Sequence, residues 1–247
     1  MLYIIGIGLG NERDITINSK ATLKKCDTIY LENYTSFIGF EVKKLEKLIR
    51  KKVVLVDRSF VEVENEIIAK AKNQDAAFLV KGDVFSATTH TSLFLRCKQE
   101  NINCKIIHNA SIITGVGDTG LSLYKFGKIV SIPFDNDLID SPYEIFLANN
   151  GMHTLFLLDL RPTENRYMDF KVAFNYLLKK SSDKKDRLVN LETFAVVCAA
   201  IGTEKAVIKY GKISELMKLE INVYPQCVIL PGDLHFMEEE MLNCFKI

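Results

Sequence analysis

Alternation in the first 110 residues limits the fold more than any other property of this chain. Apolar, β-branched runs at 2–7, 28–31, 53–56, 76–80 and 103–107 are separated by stretches with helical spacing. Strands held that far apart in sequence pair in parallel through crossover helices, which predicts an α/β sheet covered by helices on its faces. Asp14 and Thr16 open a first helix that runs through Leu23, and Val61, Val63, Ile67 and Ile68 mark a third, with Asp and Glu expected toward the helix starts where the dipole favours them. Segment 41–52 sets Val42, Leu45, Leu48 and Ile49 on one stripe among lysines and glutamates. It reads as a surface helix rather than a basic nucleic-acid patch.

After Asn109-Ala110-Ser111 the rhythm changes. Strand-like runs at 128–132, 153–160, 194–200, 206–210 and 226–230 follow, only some of them separated by a full helix, which predicts a mixed sheet. The polar stretch Ser181 to Arg187 reads as an exposed loop or a frayed helix end. The expected organisation is an N-terminal α/β domain over 1–110 and a C-terminal α/β domain over 111–247, with no spacer and a ligand cleft expected where they meet.

Residues 78–90 (FLVKGDVFSATTH) carry the strongest local sign of a site. An apolar strand ends in Gly82-Asp83 and passes into a loop of small hydrogen-bonding residues, Ser86, Thr88 and Thr89. In open α/β sheets, ligands bind at the carboxyl ends of the strands. The loop lacks the Gly-Lys-Ser/Thr ending of a phosphate-binding loop, and Asp83 is its one fixed charge, which suits an ammonium or a ribose better than a triphosphate. An ordinary turn and helix cap explains the same residues, and both readings stay open at this point. Gly6-Ile7-Gly8-Leu9-Gly10 invites a dinucleotide-binding reading, but Asn11 stands where its third glycine should be and the acidic residues that follow would repel a pyrophosphate. Glu32, at the end of the second strand, is where a ribose-binding acid would fall.

Composition removes other classes. The 247 residues, 48% of them hydrophobic, suffice for a sizeable core, and 32 basic against 31 acidic residues leave a net charge of +1 that predicts neither nucleic acid nor an anionic membrane as partner. The apolar Met1–Ile5 has no basic region before it and meets Asn11–Asp14 too soon for a secretory signal or a span, so a cytoplasmic protein is expected. Six cysteines without a Cys-x-x-Cys pair (Cys26, Cys97, Cys104, Cys198, Cys227, Cys244) are expected to be buried free thiols, and the scattered histidines His90, His108, His153 and His235 predict no metal.

Taken in order, YIIGIGLG (3–10), DIT (14–16), YLENYTS (30–36), GDVFSATTH (82–90), HNASI (108–112), LYKFG (123–127), GMHTLFLLD (151–159) and PGDLHFM (231–237) resemble the diphthine synthases. These are tetrapyrrole-methylase-type (class III) methyltransferases that use S-adenosylmethionine. The resemblance implies a two-domain α/β protein, a homodimer, that methylates the 3-amino-3-carboxypropyl side chain on the modified histidine of translation elongation factor 2 during diphthamide synthesis. The product would be diphthine or its methyl ester; Asn150-Gly151-Met152-His153 inclines toward the ester, with four methyls. Cofactor contacts carried over from the family fall on Leu9, Asp83, Ser86, Ser111, Ile112, Leu158, Ile201 and Gln226, with no catalytic side chain and no metal implied. Ser86 stands where the family commonly has glycine, and Gln226 where it has histidine. If the histidine hydrogen-bonds adenine or backbone, the Gln amide can replace it; a proton-transfer role it could not fill. Tyr34, Phe85 and Tyr124 are candidates for lining the trimethylammonium product by cation–π attraction, or simply for packing. His90 is expected to cap the following helix and His108 to be a satisfied structural histidine. The alternatives within the same resemblance are a precorrin or uroporphyrinogen methylase and a catalytically idle cofactor-binding homologue.

Overall fold

The computed structural model describes residues 1–62 and 66–247, so Val63 of the third predicted helix lies outside the described residues. The chain divides into two compact units, Met1–Gly115 with Arg161–Asn165, and Val116–Leu160 with Arg166–Ile247.

In the first unit, β1 (Leu2–Gly6), α1 (Ile17–Lys25), β2 (Thr28–Glu32), α2 (Val42–Ile49), β3 (Val54–Val56), α3 (Arg58–Glu62), α4 (Glu66–Asn73), β4 (Ala76–Val80), α5 (Thr91–Gln99), β5 (Cys104–Ile107) and the one-turn α6 (Ile112–Gly115) follow in turn. The five strands form one sheet in the order β3-β2-β4-β1-β5, and every neighbouring pair is parallel. Successive side chains of a strand point to opposite faces, and here both faces are covered. Leu2 and Ile4 of β1 join Ala76, Phe78 and Val80 of β4 in one core, while Ile5 joins Ala77 and Leu79 in another. That explains why the strands read as unbroken apolar runs. Thr16 caps α1, its Oγ1 accepting the Ser19 N–H at 3.0 Å, but the first turn of α1 carries no acidic residue, contrary to the expected pattern. On α2, Leu45 and Ile49 of the predicted stripe are fully buried.

The second unit contains β6 (Val130–Ile132), α7 (Ser141–Asn149), β7 (Thr154–Leu158), Leu160 of the two-residue strand β8 (Leu160–Arg161), β9 (Arg166–Tyr167), α8 (Phe170–Lys184), β10 (Phe194–Ala199), β11 (Val207–Lys212), α9 (Ile213–Leu216), β12 (Gln226–Leu230) and α10 (Phe236–Asn243). Its five-stranded sheet runs β11-β10-β12-β7-β6, parallel only between β6 and β7. This is the mixed sheet expected from the shortened spacing. Phe156, Phe170, Phe174 and Tyr143 fill its core without measurable exposure. The polar stretch 181–187 is the last turn of α8 and its exit, with Lys185 in the left-handed region at φ 57° and the buried Ser181 Oγ 2.8 Å from Asp186.

All six cysteines are free. Cys26, Cys97, Cys198 and Cys227 are buried and Cys104 is half-buried, but Cys244 is exposed, because it sits just past the end of α10 rather than inside an apolar strand. Among the described residues no helix is long and apolar enough to cross a membrane.

Candidate active site

Every long motif of the first half lies at the carboxyl edge of the first unit's parallel sheet, where strand ends leave unpaired backbone groups. β1 ends in the Gly6–Gly10 loop and β4 in the Lys81–His90 loop. Gly8 and Gly82 exchange both backbone hydrogen bonds, at 3.1 and 3.0 Å, and each adopts φ +78°. A Cβ on Gly6 would stand 2.6 Å from the Gly82 carbonyl oxygen, and one on Gly8 2.8 Å from the Asp14 Cβ. The glycines therefore let two loops close on each other. They do not line a phosphate cradle, and Leu9, between Gly8 and Gly10, is half-buried.

Asp83 ties this pair of loops to the end of β5. Its Oδ2 accepts the Asn109 N–H at 3.0 Å and lies 2.9 Å from His108 Nδ1, and its Oδ1 accepts the Ser86 hydroxyl at 3.3 Å and the Phe85 N–H at 3.4 Å. Burial pushes the Asp83 pKa up, but the Asn109 N–H, His108 and the Phe85 N–H outweigh it and hold the carboxyl below its usual value. The group is an ionised carboxylate near neutral pH. Asn109 Nδ2 donates to the carbonyls of Gly6 and Asp14, both at 3.1 Å, so the HNASI turn is pinned to the glycine loop. Ser111, buried, lies against Gly82 and accepts the Gly115 N–H at its carbonyl, and Ile112 opens α6 half-buried beside it. Within this unit the fold thus draws Leu9, Asp83, Ser86, Ser111 and Ile112 to one edge.

Three neighbours at this edge make contacts that no sequence pattern shows. Lys81, 9% exposed, reaches back to the Gly10 carbonyl at 2.8 Å, and burial lowers its pKa to about 8 against the opposing pull of Asp14. Glu32 is occupied by its own loop: it accepts the Thr35 hydroxyl, the Thr35 N–H at 2.9 Å and the Tyr34 N–H at 3.4 Å, while burial raises its pKa. It shapes YLENYTS instead of offering a free ribose acceptor. His90 stands at the N-cap of α5 but makes no side-chain cap bond, unlike the expectation. The residue is 1% exposed, its ring 5.0 Å from Phe78 and 5.9 Å from Tyr34, both edge-on, and its Nε2 has no hydrogen-bond partner among the described residues. Burial, then the charge of Arg58, pushes its pKa down to about 4. His108 is bound to Asp83, as expected, with 68% of its side chain exposed.

Of the aromatic candidates, Tyr34 lies 5.4 Å from the Arg58 guanidinium and Phe85 packs edge-on against Phe94 at 6.2 Å, whereas Tyr124 belongs to the second unit and is 87% exposed.

In the second unit, Leu158 ends β7, Ile201 follows the end of β10 and Gln226 begins β12; the pairings Ala199↔Gln226 and Leu157↔Cys227 set all three along one edge of that sheet, each buried. The Gln226 amide is spent on backbone. Its Oε1 accepts the Phe170 N–H at 2.8 Å, and its Nε2 donates to the Ile221 and Val223 carbonyls at 2.7 and 3.0 Å. It therefore closes the start of α8, a task within reach of an amide carrying both donor and acceptor.

The profile of the family described as Tetrapyrrole (Corrin/Porphyrin) Methylases matches residues 1–217. A protein of Methanococcus maripaludis strain C6 named diphthine synthase is 39% identical over 98% of each chain, and one of Dictyostelium discoideum named diphthine methyl ester synthase is 36% identical over 100% of this chain and 98% of the other. A crystal structure from Entamoeba histolytica that carries a provisional diphthine synthase name superposes with a TM-score of 0.92 at 35% identity, covering 100% of this chain and 98% of that one. An all-parallel sheet with a zipped glycine edge, a second mixed sheet and full-length similarity on this scale lead to one conclusion: the chain belongs to the tetrapyrrole methylase family, among its diphthine synthases.

Proposed function

We propose that this protein is the S-adenosylmethionine-dependent methyltransferase of diphthamide biosynthesis that successively methylates the 3-amino-3-carboxypropyl side chain on the modified histidine of translation elongation factor 2. The observation that carries the reading is 36–39% identity over essentially the whole length to proteins named for that reaction. An ionised Asp83 at an edge with no phosphate cradle fits a donor that carries an ammonium and ribose hydroxyls. The residues proposed to hold it are Leu9, Asp83, Ser86, Ser111 and Ile112 of the first unit and Leu158, Ile201 and Gln226 of the second. Since Gln226 has committed its amide to backbone, its share of the contact is through its main chain and its aliphatic stem.

S-adenosylmethionine supplies a methyl group already activated on a sulfonium, so no protein nucleophile is required. The chain's task is to orient the accepting amine, exclude water and keep the amine unprotonated in apolar surroundings. Orientation of this kind contributes roughly 7–11 kcal/mol of barrier reduction, against about two to four powers of ten from a general base. The working form is a cytoplasmic homodimer.

Mass spectrometry of elongation factor 2 carrying the unmethylated precursor side chain, after incubation with this protein and the methyl donor, tests the reading directly. Four added methyls are expected, three would assign the trimethylated product, and none would leave an idle homologue.

A further inference from the structure

The first unit also carries a basic pocket built from three elements. Arg13 and Glu12 of a 3₁₀ turn, Lys20 and Lys24 of α1, and Lys44, Lys47, Leu48 and Arg50 of α2 and its exit line a cavity of about 670 Å³. Six cationic side chains face one carboxylate. In a chain whose basic and acidic residues nearly balance, such a concentration is a local field that no global average reveals.

Ordinary helix electrostatics accounts for part of it only. Lys24 and Lys47 stand in the last turns of α1 and α2, where a cation complements the dipole. Lys44 lies in the first turn of α2, a turn without any acidic residue, where the dipole disfavours positive charge. Among the described residues its one ion pair is with the exposed Glu41 at 3.8 Å, which offers little compensation. Among the described residues, Arg13, Lys20, Lys24, Lys47 and Arg50 have no side-chain hydrogen bond or ion pair. Glu12 is the single carboxylate that lines the pocket with them.

We infer that this pocket binds a compact polyphosphate, three or more phosphate groups clustered on a small scaffold. Phosphate suits the donor set, because Arg13 and Arg50 present planar forks and the four lysines present point charges. The shape argues for a small ligand. A single-stranded nucleic acid would want aromatic platforms for its bases, and no aromatic side chain lines the pocket. An acidic peptide spaces its carboxylates along an extended chain of about 3.3 Å per residue, whereas these cations converge from three elements on one concavity. The site is independent of the methyl-transfer reading, since none of its residues is among the proposed cofactor contacts.

Titration calorimetry at 0.15 M salt tests it, with inositol hexakisphosphate, ATP and inorganic tripolyphosphate as probes of the scaffold, and sulfate, a 12-nucleotide RNA and polyglutamate as competitors. The variant Arg13→Ala/Lys24→Ala/Lys47→Ala removes three exposed pocket charges. Lys105→Ala/Lys205→Ala/Lys218→Ala removes the same charge elsewhere. At least one polyphosphate is expected to bind the parent, at least tenfold more weakly to the pocket variant and within twofold to the control, with circular dichroism unchanged in both. Absence of binding to the parent, equal weakening in the control, or tighter binding of sulfate, RNA or polyglutamate at the same residues would overturn it.

Discussion

Each unit holds a carboxylate bonded to a histidine, and the two clusters differ in how fully they are closed. In the second unit, Glu238 Oε1 accepts the Ser122 N–H at 2.8 Å and His153 Nε2–H at 3.2 Å, and Oε2 accepts the His235 N–H at 2.8 Å and the Lys125 ammonium at 2.5 Å. The Gly232 N–H donates to His153 Nδ1 at 2.9 Å, which leaves Nε2 as the protonated nitrogen. Glu238 is 2% exposed and His153 not at all. In the first unit, Asp83 has bonds stretched to 3.3 and 3.4 Å, and its histidine is mostly in solvent. A carboxylate with every lone pair tightly filled from buried groups organises a fold; one with long bonds and an exposed partner can still exchange a partner for a ligand. Both carboxylates are held below the ordinary pKa, so titration alone would not tell them apart.

The largest test of that contrast is Glu238→Ala. Burial opposes ionisation of Glu238, but the His235 N–H, Lys125 and the Ser122 N–H overcome it, and truncation strips acceptors from four donors at once. A loss of about 3–5 kcal/mol is expected, read as a fall in unfolding temperature on the order of 10 °C. A loss below about 1 kcal/mol would mean that this closed cluster is no more structural than the open one.

Next comes His90, the histidine of the first unit with no partner at Nε2. Its folded pKa, about 4, lies below the ordinary 6.5, so the folded state favours the neutral ring while the unfolded chain takes up a proton. Stability is therefore flat above pH 6.5 and falls as the pH drops toward 4, by roughly 3 kcal/mol at most. Denaturant midpoints of the parent against His90→Phe should converge in slope above pH 6.5 and part below it. An equal acid loss in the variant would place the titration elsewhere.

Asp83→Ala should separate fold from site. Its stability cost is expected near 1–2 kcal/mol, because its weaker bonds and exposed partner return to water. Its dissociation constant for S-adenosylmethionine should rise about 10- to 100-fold, or 1.4–2.8 kcal/mol. Calorimetry that found the reverse balance, large destabilisation and unchanged affinity, would make Asp83 a second Glu238.

The same contrast explains what the sequence disclosed. Alternating faces of β1 and β4 were readable because both faces are buried and periodicity is local. The edge loops were readable because small polar residues directly follow apolar strands. Lys81 reaching the Gly10 carbonyl, 71 positions away, and Ser122 donating to Glu238, 116 positions away, depend on which loops the strand order brings together. No spacing rule carries that. Yet the motifs LYKFG, GMHTLFLLD and PGDLHFM supply Lys125, His153, Gly232 and His235 to one cluster, so part of the family resemblance in the second half reports a structural staple rather than cofactor contacts. The reading of α2 as a surface helix with an apolar stripe holds, but the basic pocket beside it was not legible for a related reason: periodicity along α2 does not see α1 and the 3₁₀ turn converge on it.

The smallest expected effect bears on how the open cluster is held ready. Ala87, inside the loop that carries Asp83 and Ser86, adopts φ +59°, a left-handed conformation that costs a residue with a Cβ about 1–2 kcal/mol. The Thr88 hydroxyl donating to the Val84 carbonyl at 2.6 Å and the Ser86 hydroxyl donating to Asp83 hold it there. Strain kept by surrounding bonds is a means of pre-setting a loop. Ala87→Gly removes the strain but widens the unfolded ensemble by about 0.4–1 kcal/mol. The net expectation is a gain near 0.5 kcal/mol in unfolding free energy with a loss of less than threefold in cofactor affinity, because the relaxed loop samples more arrangements around Asp83. Were affinity to rise together with stability, the strain would be a burden on the site, and the long bonds of Asp83 would reflect a loop still short of its binding shape.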